Sequence, residues 1–248
     1  MATILYEHPL NERIRSYLKL EQLFSQVLSC TPENIIANHH IFFSALFSII
    51  DALERSDIRG DLIKDIEKLE HNLVIWSNSP EINSDAIEEN LKKTVQLIFQ
   101  LKGKNPLWLQ LKEDKLLTSL KQRYAIQGGT SSFDLPQLHF WLHQSVETIS
   151  NDITHWLSLL GQIRSALFLT LKFIRERVEF EKIETDSGFY QDSGEGIVLL
   201  RIKVGNAVQH YPSVSGNRFR YSIRFMLPCE SSGRRYSNQP AQFELARC

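Results

Sequence analysis

The spacing of apolar residues changes once along this chain, near Val178, and that change limits the folds open to it. Upstream, apolar side chains recur every three or four residues, as in helices that bury one stripe. The set Ile14, Tyr17, Leu18, Leu23, Phe24, Val27 and Leu28 predicts a helix over 11–30, with a stop and restart at Thr31-Pro32-Glu33. Residues 38–55 are apolar nearly all round, as expected of a helix surrounded by others. Their most apolar stretch, Ile41 to Ile50, is about half the length of a bilayer span. Leu62, Ile66, Leu69, Leu73 and Trp76 mark another helix, and Ile87, Leu91, Val95, Ile98 and Leu101 one more behind a Ser84 cap. Asn105-Pro106 opens a helical region to Tyr124. Asp134 offers an N-cap for a short aromatic helix, Gln137 to His143, with Pro136 in its first turn, and a longer pattern over 146–177 bends or breaks near Gly161.

Downstream the period is two. Residues 197–204, 218–226 and 242–246 read as strands, and Thr3 to Glu7 as an edge strand ending at His8-Pro9. The expected fold class is therefore α+β. A helical domain over 10–177, which the family resemblance described below implies to be the centre of a dimer, is followed by a mostly antiparallel β domain of residues 1–9 and 178–248, whose sheet the N-terminal strand joins.

Composition excludes several classes. With 42% hydrophobic and 23% charged residues over 248, the chain can bury an ordinary core and is neither disordered nor low in complexity. A net charge of −1 does not suit a nucleic-acid coat protein, whose binding runs on excess cationic charge. Cys30, Cys229 and Cys248 lack framework spacing and read as free thiols. No cationic segment followed by an apolar one is visible at the N-terminus, so a cytoplasmic protein with no membrane partner is expected.

Charge is unevenly placed. Residues 31–99 hold 6 Lys and Arg against 12 Asp and Glu, whereas 196–229 hold no acidic residue but contain Arg201, Lys203, Arg218, Arg220 and Arg224. Side chains alternate along a strand, so Phe219, Tyr221, Ile223 and Phe225 share one face and Arg218, Arg220 and Arg224 the other. Val198, Leu200, Ile202 and Val204 likewise oppose Arg201 and Lys203. Pairing these two strands would put five cations on one sheet surface, suited to a carboxylate-bearing peptide or a phosphate. The same pattern also describes the plain solvated face of an antiparallel sheet. Nucleic acid is the alternative partner, with Phe219, Tyr221 or Trp141 stacking on bases, but alternation puts the strand aromatics opposite the arginines.

Catalytic signals are weak. His139 and His143 are four apart, a spacing used for zinc, but Phe140-Trp141-Leu142 between them supplies no glutamate base. His39-His40 is a weaker pair still. Gly128-Gly129 and Gly194-Glu195-Gly196 match neither a phosphate loop nor a dinucleotide fingerprint, and there is no nucleophile elbow. The reading is of a non-enzymatic protein without metal or cofactor. Trp76, Trp108, Trp141 and Trp156 fall on helical patterns and read as core or interface anchors.

Several strings are less ordinary: Tyr6-Glu7-His8-Pro9-Leu10-Asn11-Glu12, Ser132-Phe133-Asp134-Leu135-Pro136-Gln137-Leu138-His139-Phe140-Trp141-Leu142-His143 and Gly188-Phe189-Tyr190-Gln191-Asp192. With Leu199-Leu200-Arg201, Tyr211-Pro212-Ser213-Val214-Ser215-Gly216 and Arg220-Tyr221-Ser222-Ile223-Arg224-Phe225-Met226, they resemble the ZapD family of bacterial cell-division factors. The resemblance implies a cytoplasmic homodimer, recruited to the mid-cell division ring, that binds the C-terminal peptide of FtsZ in a basic pocket and bundles FtsZ filaments. Carried over by position, it implicates Arg15, Lys19, Lys115, His139, Arg220 and Arg224. Arg123, His143, Arg201, Lys203 and Arg218 complete the expected basic pocket. Lys19 and Lys115 stand where the family pattern has arginine, keeping charge but losing the two-pronged fork. The terminal Leu245-Ala246-Arg247-Cys248 departs from the cysteine pair common there.

Overall fold

The computed structural model describes residues 3–77, 84–126, 129–205, 209–228 and 235–248. In chain order its elements are β1 (Thr3–Pro9), α1 (Glu12–Ser29), α2 (Ile35–Arg55), α3 (Ile58–Ser77), α4 (Ser84–Leu101), a 3₁₀ helix (Leu107–Lys112), α5 (Lys115–Tyr124), α6 (Pro136–Leu142), α7 (Val146–Leu159) and α8 (Gly161–Glu176). The strands β2 (Glu181–Thr185), β3 (Phe189–Ser193), β4 (Leu199–Gly205), β5 (Tyr211–Gly216), β6 (Arg220–Leu227), β7 (Arg235–Tyr236) and β8 (Ala241–Arg247) follow. Helices followed by antiparallel sheets give the α+β class. The chain divides into two compact units, Lys19–Thr170 and a unit of Met1–Leu18 with Leu171–Cys248.

The helical unit is organised by α2, which buries Phe42, Phe43, Ala45, Leu46, Phe47, Ile49, Ile50 and Leu53. Its length and mean hydropathy would suit a bilayer span, as do those of many core helices of soluble proteins. The ring of Phe43 lies 5.5 Å from that of Trp141 and 6.0 Å from that of Trp156, and the two indoles are 5.6 Å apart. A buried indole must still place its N–H. Trp141 Nε1 donates to Asp152 Oδ2 at 2.8 Å and Trp156 Nε1 to Asp114 Oδ2 at 2.9 Å. The other oxygen of Asp114 accepts from the Leu117 amide at 2.9 Å as the N-cap of α5.

This cap explains why the expected helix from 105 to 124 is interrupted: Glu113 ends the 3₁₀ turn and Asp114 starts α5. Asp134 is not the cap of α6; Leu135 occupies that position without a side-chain hydrogen bond, and Pro136 starts the helix. The long pattern over 146–177 divides into α7 and α8 with a 59° bend between them. Leu28, expected on the buried stripe of α1, is 43% exposed, and Leu20 is buried instead. Cys30 is a buried free thiol, Cys229 lies outside the described residues, and the Ser84 side chain is likewise not described.

In the β unit, one sheet has the order β1-β4-β8-β2 and the other β3-β6-β5, with β7 on β6. All pairings are antiparallel, and β1 joins the sheet of the C-terminal strands, Thr3 opposite Gly205 and Pro9 opposite Leu199. Leu200, Ile202, Val204, Phe243 and Leu245 of the first sheet share one core with Tyr221, Ile223 and Phe225 of the second. Arg247 of β8 ties the sheets together at one edge. Its guanidinium donates to the Tyr221 hydroxyl at 3.0 Å, the Tyr190 hydroxyl at 2.8 Å and Glu181 at 2.6 Å. Burial pushes the Tyr221 phenol up to about 12, so it stays protonated across the ordinary pH range. Gly188, before β3, has φ +63° and lies where an added Cβ would come within 2.5 Å of the Ser237 carbonyl.

Two outcomes follow for the helical unit. Asp114→Ala removes a cap and orphans a buried indole, which should cost about 2–3 kcal/mol in urea unfolding. A loss below about 0.5 kcal/mol would mean that water or another acceptor replaces both bonds. Glu54 accepts from Lys112 at 3.0 Å and from Lys121 at 3.3 Å, and those hydrogen bonds, Lys112 first, hold its carboxyl below the ordinary glutamate value. A carboxyl lowered in the folded state contributes stability above its unfolded pKa and loses it as pH falls through the folded one. The melting-temperature gap between wild type and Glu54→Gln should thus be largest near neutrality and close as pH drops below 4.5, the reference value.

Candidate functional site

The five cations of residues 196–229 do not share a sheet surface. Arg201 and Lys203 lie on β4 of the first sheet, and Arg220 and Arg224 on β6 of the second. The expected direct pairing of these strands is replaced by face-to-face burial of their apolar sides, which points the two sets of cations outward from opposite sheets. The β6 strand starts at Arg220, so Arg218 and Phe219 stand in the preceding turn, and Phe219 is 66% exposed rather than buried with Tyr221.

The first set is neutralised locally. Arg201 Nε donates to Glu7 at 3.0 Å, its Nη1 to the Arg175 carbonyl at 3.0 Å, and Arg175 itself binds Glu7 at 2.6 Å. All three side chains are largely buried. Lys203 lies 3.7 Å from the Phe180 ring centroid, with Glu244 at 3.9 Å. These contacts make Arg201 a structural residue, and Lys203 is drawn into the same kind of local pairing.

On the outer face of the second sheet, no carboxylate contacts Arg218, Arg220 or Arg224 among the described residues. Alternation brings Arg220, Ser222 and Arg224 of β6 to this face, with Phe189, Gln191 and Ser193 of β3 on one side and Ser213 and Ser215 of β5 on the other. A cleft of about 360 Å³ opens there, lined by Gln191, Ser215, Gly216, Asn217, Arg220, Tyr221 and Ser222. The β5–β6 turn is held by Asn217, whose amide donates to the Arg220 carbonyl at 2.9 Å and whose side chain accepts from Phe219 and Arg220 amides at 2.9 and 3.3 Å. Its tip rests on Gly194, where a Cβ would come within 2.5 Å of the Asn217 carbonyl. Further along the face, the Arg224 guanidinium lies over two rings, 4.8 Å from the Phe189 centroid and 4.5 Å from that of Tyr236. Arginine forks among hydroxyl and amide donors form a surface that accepts carboxylate or phosphate oxygens.

The remaining expected residues are spread over helices. Arg15 on α1 is paired with Glu12 at 3.2 Å, and Lys19 is exposed one turn later. Lys115 and Arg123 are exposed at the two ends of α5. His139 and His143 are neighbours, with ring centroids 4.5 Å apart, and His143 Nδ1 contacts the His139 carbonyl at 2.8 Å. His139 also lines a cleft of about 310 Å³ with His39 and His40. Burial first, and then the charge of His39, hold His40 below its ordinary value. No group of three or more metal-ligating side chains occurs among the described residues.

The sequence reading missed Phe189, Gln191, Ser213, Ser215, Ser222 and Tyr236. The alternation Phe189-Tyr190-Gln191-Asp192 was a usable sign of a strand, since Tyr190 packs on the core and its neighbours face out. Tyr236 carried no comparable signal, because β7 is two residues long.

Separate roles for the two sets of cations can be measured. Arg201→Ala strands the carboxylate of Glu7 beside one remaining arginine and should lower stability by about 2–3 kcal/mol. Arg220→Ala should change it by less than about 0.5 kcal/mol. Equal losses in thermal unfolding would place both arginines in the same structural class.

The chain matches the family model ZapD, described as a cell division protein, over residues 18–224. A protein of Idiomarina loihiensis named cell division protein ZapD is 40% identical over 250 residues, covering 99% of this chain and 96% of that protein. Relatives of the same name in Photobacterium profundum and Yersinia enterocolitica are each 37% identical, covering 100% of this chain and 100% and 98% of their own lengths. An outer sheet face whose arginines meet no carboxylate among the described residues is thus set in a chain that aligns from end to end with cell division proteins, and the chain belongs to the ZapD family.

Proposed function

We propose that this protein is a non-enzymatic cell-division factor that binds the C-terminal peptide of FtsZ on the outer face of its second sheet and crosslinks FtsZ filaments as a homodimer. The observation that carries this reading is the set Arg218, Arg220 and Arg224, which lacks carboxylate partners among the described residues and of which Arg220 lines a polar cleft. Guanidinium forks bind peptide carboxylates through paired N–H···O contacts, and the surrounding serines and Gln191 offer further donors. Lys19, Lys115, Arg123, His139 and His143 are assigned to the same partner as secondary contacts that help set bundle geometry. Arg201 and Lys203 act through the fold.

Valency supplies the mechanism. A symmetric dimer carries two peptide sites, and a filament displays many tails, so moderate affinity per site becomes firm crosslinking by avidity. Such a protein is cytoplasmic and reaches the mid-cell ring through FtsZ itself.

Co-sedimentation with polymerising FtsZ under GTP tests this directly. Pelleting is expected with full-length FtsZ and not with FtsZ lacking its C-terminal peptide, and it should weaken as salt is raised, because the contact is between exposed charges. Arg224→Glu should abolish pelleting with little change in melting temperature. Pelleting that is insensitive to the peptide would overturn the reading.

One observation favours a second partner. Phe219 is exposed with the Arg218 guanidinium 4.6 Å from its ring, and Phe189 and Tyr236 flank Arg224, so aromatics and cations share this face after all. That combination suits single-stranded nucleic acid. A gel shift at physiological salt with this protein, alongside the pelleting assay, separates the two partners.

A further inference from the structure

Arg224 and Arg220 both project from β6 onto the same face, but of the two it is Arg224 whose guanidinium lies within 5 Å of two ring centroids, Phe189 directly opposite it on β3 and Tyr236 from β7. On its third side stands Ser213, a small residue that leaves the approach from β5 open. Tyr236 is 58% exposed, so its ring contributes little to the core.

An exposed arginine samples many rotamers, and fixing it on a ligand costs side-chain entropy. Two rings within 5 Å restrict that freedom before the ligand arrives. They accept no conventional hydrogen bond, so the five N–H groups of the guanidinium stay available to a ligand. We propose that Phe189 and Tyr236 are positioning residues that preset the Arg224 fork for a carboxylate of an extended peptide. This rests on the function proposed above, and it adds that affinity at the site depends on two aromatic residues that need not touch the peptide.

The test uses the full-length protein and a fluorescently labelled synthetic FtsZ C-terminal peptide, read by anisotropy, with melting temperatures and NMR of the arginine Nε–H groups alongside. Tyr236→Ala should weaken peptide binding about threefold to fivefold, the size of an exposed cation–π contact, with an unchanged melting temperature. Tyr236→Phe should bind as wild type, because the ring and not the hydroxyl holds the arginine. The Arg224 Nε–H should be more ordered than that of Arg220, and should fall to the same level in Tyr236→Ala. Wild-type affinity in Tyr236→Ala, an equal loss in Tyr236→Phe, or an Arg224 signal as mobile as that of Arg220 would overturn the inference. Arg224→Ala separates this from the underlying reading. Undiminished binding in that variant removes Arg224 from the peptide site altogether, whereas lost binding there with normal binding in Tyr236→Ala rejects only the positioning role.

Discussion

The apolar sides of the two antiparallel sheets can be hidden from water only by burying them together, and the arrangement of the β unit follows from that constraint. Ile202 and Leu245 on one sheet, and Ile223 and Phe225 on the other, belong to a single core. Because side chains alternate, every residue that flanks these in sequence must face outward. Arg201 and Lys203 emerge on one side of the sandwich, and Arg220 and Arg224 on the other. What the chain then supplies on each side decides their fates. Glu7 of β1 and Glu244 of β8 are at hand for the first pair, whereas the strands beside the second present serine, glutamine and phenylalanine.

The two units solve the burial of polar groups in similar ways. In the helical unit, indole N–H groups inside an aromatic core reach carboxylates at its margin, Asp114 and Asp152. In the β unit, the phenols of Tyr190 and Tyr221 reach the guanidinium of Arg247. In each case a large ring fills the core and its single polar atom is satisfied by a charged group close to water. These bonds specify register as well as stability: Arg247 meets both phenols only when β8, β3 and β6 are aligned as observed.

Much of this was legible in the sequence, for definable reasons. Period and proline punctuation located α1, α2 and α3, because a buried stripe repeats regardless of what it packs against. The joining of β1 to the C-terminal sheet was also anticipated. The partition of strands between two sheets was not, since alternation fixes which face a residue takes but not which strand lies beside it. The short strands escaped for separate reasons: β2 has Ile183 as its one apolar residue, β3 puts two aromatics side by side before polar residues, proline, serine and glycine interrupt β5, and β7 is two residues long. For the candidate site, the cationic residues stood out through the missing acids of 196–229, but whether each had a partner depended on residues far away in sequence. Glu7 is 194 positions from Arg201.

The pairing of β1 with β4 also has a consequence in time. Thr3 meets Gly205, with the whole stretch Lys19–Thr170 lying between the two segments of the β unit. At synthesis rates of about 5–20 residues per second, the first strand waits about 10–40 s before its partner is made. During that wait the helical stretch, whose contacts are closer in sequence, can already collapse around α2. A nascent β1 left unpaired for so long is best kept from straying. Its Glu7 and His8-Pro9 make it a poor template for another strand, since charge and proline both discourage edge-to-edge association.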